Sequence, residues 1–149
     1  MHSINLDPSA LSILRATFGL ALLTFVMAAW MTVVRMPAMR RAGLVLQDAA
    51  HTRDLADRLP SSATRVADNY RHLFEAPTVF YAVSLGIVFS GLADPVYATC
   101  AWSFLGLRVL HSIVQATFNR VAVRAALYSL SWIALGVMIV RPMFALWSA

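Results

Sequence analysis

The one glutamate in the chain, Glu75, stands in the stretch Asn69-Tyr-Arg-His-Leu-Phe-Glu-Ala-Pro-Thr-Val-Phe-Tyr81, where a long apolar segment has already begun. A carboxylate at membrane depth costs about 2.5 to 3.5 kcal/mol on insertion scales, so such a group faces a bundle interior and takes a cationic partner. Arg108, near the middle of a second apolar segment, is the candidate partner, and His111, Ser112 and Gln115 follow it at helical spacing on one stripe. Asp68, Arg71, His72 and Glu75 recur at spacings of three and four and form a second polar ridge. Guanidinium, imidazole and carboxylate groups gathered in this way can hold an anionic or zwitterionic ligand. The same set can also be an intramembrane ion pair with a hydrogen-bonded histidine that fixes helix register. His72, His111 and Glu75 include metal-ligand types, but without a third histidine or a cysteine at matching depth they define no metal site.

The elements that must position these groups are apolar helices. The chain has 149 residues, 60% of them hydrophobic and 13% charged, and its mean hydropathy is positive, which excludes an ordinary soluble domain and predicts one all-α membrane domain. Spans are expected over about residues 9–34, 70–92, 96–118 and 124–146, each long enough for a core of about 30 Å. Arg15 lies about two turns into the first span, where a long side chain snorkels to the interface. Asp7 and Pro8 precede that span without a basic n-region, so the first helix is expected to stay attached rather than to act as a signal peptide. The segment Leu44 to Leu59 mixes charges, with Asp54 to Arg58 at i,i+4, as in short amphipathic surface helices. Pro77 predicts a kink in the second span, and the short turn Gly91-Leu-Ala-Asp-Pro95 makes the second and third spans antiparallel neighbours. Counted from that turn, Glu75 and Arg108 fall within about one helical turn of the same depth, so they can pair.

All twelve basic residues are arginine, and seven lie between residues 35 and 71. Basic loops beside apolar spans mark a cytoplasmic face or an anionic ligand site rather than a nucleic-acid surface, so no nucleic-acid partner is expected. Residues 35–65 and 119–124 are then cytoplasmic and both termini lie outside. Cys100, the single cysteine, excludes an internal disulfide and reads as a small buried hydrophobe. Tryptophans 30, 102, 132 and 147 read as interface anchors.

Leu73-Phe74-Glu75-Ala76-Pro77 with Phe80-Tyr81, then Arg108-Val-Leu-His111-Ser112, then Asn119-Arg120 and Arg124 with Tyr128, resemble the family of membrane-associated proteins in eicosanoid and glutathione metabolism (MAPEG), and its small bacterial members most. The resemblance implies an integral membrane four-helix bundle, a homotrimer with glutathione as co-substrate between subunits, and a bacterial inner membrane as its place. Carried over, Glu75 takes the role of the glutamate that holds the glutathione amino group or pairs with the arginine of the third span. Arg108, His111, Ser112 and Gln115 fall on the third-span motif, His72 on the second and Tyr128 on the fourth. Arg120 and Arg124 match the basic residues of which one approaches the thiol, as catalytic candidates, and Arg35 resembles the arginine that reaches a glutathione carboxylate from the neighbouring subunit.

Glutathione carries two carboxylates and one ammonium, and a site for it needs several guanidinium forks and about one carboxylate, the ratio present here. A thiolate nucleophile must have its free pKa of about 8.5 lowered, which an arginine at a helix end does. The chain departs from the family pattern at three points. His72 stands where the family has asparagine, Gln115 replaces a tyrosine, and Ala125 replaces a serine of some members. The resemblance therefore leaves the thiol-activating group open. The expected function is a glutathione-dependent transferase or peroxidase acting on lipophilic substrates that arrive through the lipid, and the alternative is a non-catalytic membrane scaffold or accessory subunit that keeps the fold without thiol chemistry.

Overall fold

Helix ends are written into the chain by capping chemistry. Asp7 Oδ1 accepts from the Ser9 amide at 2.8 Å and from the Ala10 amide at 3.3 Å, and Pro8 occupies the first turn, where a missing N–H costs nothing. The helix so begun, α1, runs Pro8–Arg41 in the computed structural model, which describes residues 6–50, 55 and 57–148. It passes the expected end near Arg35 and continues through Pro37. Its stop is Gly43, at φ +67°, where the Leu44 amide bonds to the Met39 carbonyl and the Gly43 amide to that of Arg40. That pattern needs a left-handed residue, which glycine adopts at no steric cost.

The remaining helices are α2 (Ser61–His72), α3 (Ala76–Phe89), α4 (Pro95–Ala116) and α5 (Val121–Trp147). A short 3-10 helix, Leu46–Ala50, lies in the connection after α1, where Met39, Leu44 and Leu55 close a small core. Asp54, expected to pair with Arg58, is outside the described residues. Gly91, at φ +69°, ends α3 by the same motif as Gly43, with Leu92 N to Ile87 O and Gly91 N to Val88 O. Asp94 then starts α4 by accepting from the Val96 and Tyr97 amides at 2.9 and 3.0 Å. Its other oxygen takes the Arg141 guanidinium of α5, which also stacks on the Tyr97 ring at 4.7 Å. Partial burial opposes the charged form of Asp94, but the Tyr97 amide and then Arg141 outweigh it and hold the carboxyl below its ordinary range.

No strand occurs among the described residues, and three helical stretches, Pro8–Arg41, Ser61–Phe89 and Val121–Trp147, are long and apolar enough to cross a membrane. The helix α4 lies among them and carries the polar stripe. It packs on α5, α1 and α2, while α3 packs on α1 and α5. In lipid, apolar burial between helices gives little driving force, so close backbone approach and van der Waals fit carry the packing. Ala16, Ala76 and Ala101 are fully buried at these contacts, and a Cβ built on Gly19 would sit 2.8 Å from Leu105 Cδ2. Phe80 and Phe104 stack in the core with ring centroids 4.5 Å apart. The helix α5 runs on past Pro142, since a proline in a spanning helix is tolerated where neighbours re-satisfy the freed carbonyl.

Candidate functional site

The second apolar stretch breaks, where the sequence predicts only a kink. The helix α2 ends at His72, α3 begins at Ala76, and Glu75 sits between them at φ −97° and ψ −103°. Pro77, in the first turn of α3, has no N–H to bond back towards residue 73, and Thr78 satisfies the Glu75 carbonyl with its amide at 3.1 Å and its hydroxyl at 2.6 Å. The break rotates Glu75 outward, so that its side chain is 51% exposed.

The expected ion pair of Glu75 with Arg108 is therefore not formed. Equal depth on neighbouring helices says nothing about direction around the axis, and the turn at 73–75 points the carboxylate to His72 instead. His72 Nδ1 lies 3.0 Å from Glu75 Oε2. Of two such groups one must donate, and a carboxylate cannot, so Nδ1 carries the proton.

Arg108 is 1% exposed, and none of its three guanidinium nitrogens has a hydrogen-bond partner. Its charge is flanked instead by aromatic faces, with the guanidinium carbon 5.3 Å from the Phe104 ring centroid and 4.9 Å from that of Tyr128. Ser112 and Gln115, on the same face of α4, are also buried, with Ser112 Oγ and Gln115 Oε1 unpartnered. A buried guanidinium with no hydrogen-bond acceptor costs several kcal/mol, and an acceptor of opposite sign would offset that cost.

Beside it a groove of about 210 Å³ opens between α2, α4 and α5, lined by His72, His111, Val121, Arg124, Ala125 and Tyr128. The His72 and His111 ring centroids are 6.1 Å apart and those of His111 and Tyr128 are 6.2 Å apart. Arg124 is held by Asn119 Oδ1, which accepts from Nη1 at 2.7 Å. No group of three or more His, Cys, Asp or Glu side chains at metal-binding separation occurs among the described residues.

Two of the expected site residues lie elsewhere. Arg120 is exposed at the start of α5 and does not line the groove. Arg35 lines a separate recess with Leu55, Leu59, Ala63, Thr64, Ala67, Asp68 and Arg71, where Arg71 also pairs with Asp68 at 3.6 Å. Two polar residues belong to the region without a role assigned from sequence. Asn69, fully buried with both amide atoms unpartnered, lies one turn before His72, and its i,i+3 spacing was the available signal. Asn119 adopts φ +49°, a conformation that asparagine tolerates, and thereby connects α4 to α5 and aims Arg124.

The chain is thus an all-helical protein with helices suited to a bilayer and a buried cationic cluster beside a polar groove. Residues 13–144 match the MAPEG family, and the chain belongs to it. No curated protein and no solved structure matches it.

Proposed function

We propose that this protein is a membrane-embedded, glutathione-dependent transferase or peroxidase that acts on lipophilic electrophiles delivered by the bilayer. The observation that carries the reading is the Arg108 guanidinium, buried and without a hydrogen-bond partner, beside a groove that also presents Arg124. Bidentate guanidinium groups match carboxylates, and Glu75, with one oxygen engaged by His72, keeps Oε1 for an ammonium. Tyr128 and His111 line this groove, and Ser112 and Gln115, buried on the same stripe of α4 as Arg108, belong to the ligand region in this reading. Arg124, fixed by Asn119, is the cation placed to hold a thiolate.

Sites that enclose a whole small molecule run to about 300–1,000 Å³. A tripeptide outgrows a groove of about 210 Å³, and α1 and α5 present wide apolar faces. The reading therefore includes a homotrimer in which a neighbour's copy of Arg35 completes the site. It also includes four spans with both termini outside, in a bacterial inner membrane, because the arginines crowd into the connection after α1 and the start of α5.

The test is thermal denaturation of the full chain in mild detergent with glutathione. At 100 times its dissociation constant the ligand should stabilise the protein by about 2.7 kcal/mol. A chain that glutathione does not stabilise at any concentration is the scaffold, not the enzyme.

A further inference from the structure

The Glu75–His72 contact does more than replace an expected ion pair. A carboxylate that accepts from Nδ1 fixes the imidazole as the tautomer whose lone pair is on Nε2, and it supplies the counter-charge for the imidazolium formed when Nε2 takes a proton. Among the described residues, His72 is the only one lining the groove with such a carboxylate. Across the groove, His111 lies between the His72 and Tyr128 rings one turn from Arg108, with no carboxylate in ion-pair contact among the described residues. The family residue at this position, asparagine, cannot take a proton at all.

We propose that His72 is the base that ionises the thiol bound in the groove, and that Glu75 is its positioning residue; this rests on the glutathione reading above. The S–H bond breaks, its proton passes to His72 Nε2, and the electron pair stays on sulfur as a thiolate opposite the Arg124 guanidinium. The side chain of His72 is 34% exposed, so the proton can leave again to water. The titratable and charged groups around this imidazole are Glu75 at the helix break, His111 from α4, and Arg124 and Tyr128 from α5, with Arg108 against the Tyr128 ring. The thiol therefore meets one paired base and one fixed cation.

The experiment mixes the full chain in detergent with glutathione in a stopped-flow instrument and follows thiolate absorbance across the pH range in which histidine titrates, beside equilibrium binding of glutathione. His72→Asn should bind glutathione almost as tightly as the wild type and form thiolate about 10²-fold more slowly or worse at neutral pH. Glu75→Gln, which removes the carboxylate that holds the imidazole in its tautomer and orientation, should slow thiolate formation, and Glu75→Asp should restore part of the rate. His72→Ala should regain part of the rate with added imidazole. A His72→Asn protein with an unchanged rate and profile overturns the assignment alone. A wild type that does not bind glutathione overturns the functional reading and this inference together.

Discussion

Arg108→Met tests the role of the buried guanidinium by removing the charge while keeping an unbranched, flexible apolar side chain between Phe104 and Tyr128. An unpaired ion in a protein interior costs several kcal/mol after relaxation. Two aromatic faces within about 6 Å return about 1–2 kcal/mol each when desolvated. The balance leaves the charge costing about 1–2 kcal/mol, so in the absence of ligand the methionine variant should be more stable than the wild type by that amount. For a chain of this size that raises Tm by about 2–8 °C. Glutathione at 100 times its wild-type dissociation constant should then stabilise the wild type by about 2.7 kcal/mol and the variant by almost nothing. Thermal denaturation in detergent, with and without glutathione, reads both effects in one series. A ligand-free variant weaker than the wild type by more than about 2 kcal/mol would show that the guanidinium is already satisfied within the protein. A variant that keeps the full glutathione shift would place the anion elsewhere.

Asp94→Asn keeps the side-chain oxygen that caps α4 but loses the charge opposite Arg141. Because the folded-state carboxyl is held below its ordinary value, its contribution is present above about pH 3.9 and lost as pH falls through the lowered value. The variant should lose about 0.2–1 kcal/mol at neutral pH and show a flatter acid limb in pH-dependent denaturation. Asn119→Gly tolerates φ +49° but frees Arg124, whereas Asn119→Ala adds backbone strain of about 1–2 kcal/mol. Both should weaken thiolate stabilisation equally, with only the alanine variant losing marked thermal stability. In a Cys100→Ala background, cysteines at Asp48 and Asp94 should label from opposite sides of the membrane, and labelling of both from one side refutes the arginine-based orientation.

The helical architecture was readable because its signals are local and strong. Apolar runs of spanning length, Asp94-Pro95 at a helix start and Gly91 at a helix end each act through a few neighbouring atoms. Prolines misled in both directions, since their effect depends on who receives the freed carbonyl. Pro37 falls past the expected end of the first span at residue 34 and lies inside α1, while Pro77 is expected to kink a helix and instead accompanies a three-residue break. The true end of α1 was signalled by Gly43. The polar stripe of α4 was legible from spacing, and its burial follows it residue for residue at Arg108, His111, Ser112 and Gln115. The partner of Glu75 was not, because residue counts along an axis give depth and the break changes direction.

In the proposed function, the helix break separates two tasks that a Glu75–Arg108 pair would merge. A charge used to capture an anion is strongest where water is excluded, and Arg108 is 1% exposed. A group used to move protons must exchange them with solvent, and the His72–Glu75 pair sits at the rim, with side chains 34% and 51% exposed. Had Glu75 neutralised Arg108, the anion-binding charge would have been spent inside the protein and the imidazole would have lost its counter-charge. The helix break at 73–75 turns the carboxylate to His72, which lines the groove, and leaves Arg108 without an ion-pair partner. Pro77 therefore shapes the chemistry of the site. Pro77→Ala, by restoring the backbone donor, should let α2 and α3 join, draw Glu75 towards the interior and lower both glutathione affinity and the rate of thiolate formation. A variant with intact binding and an unchanged rate would show that the break is only a packing feature.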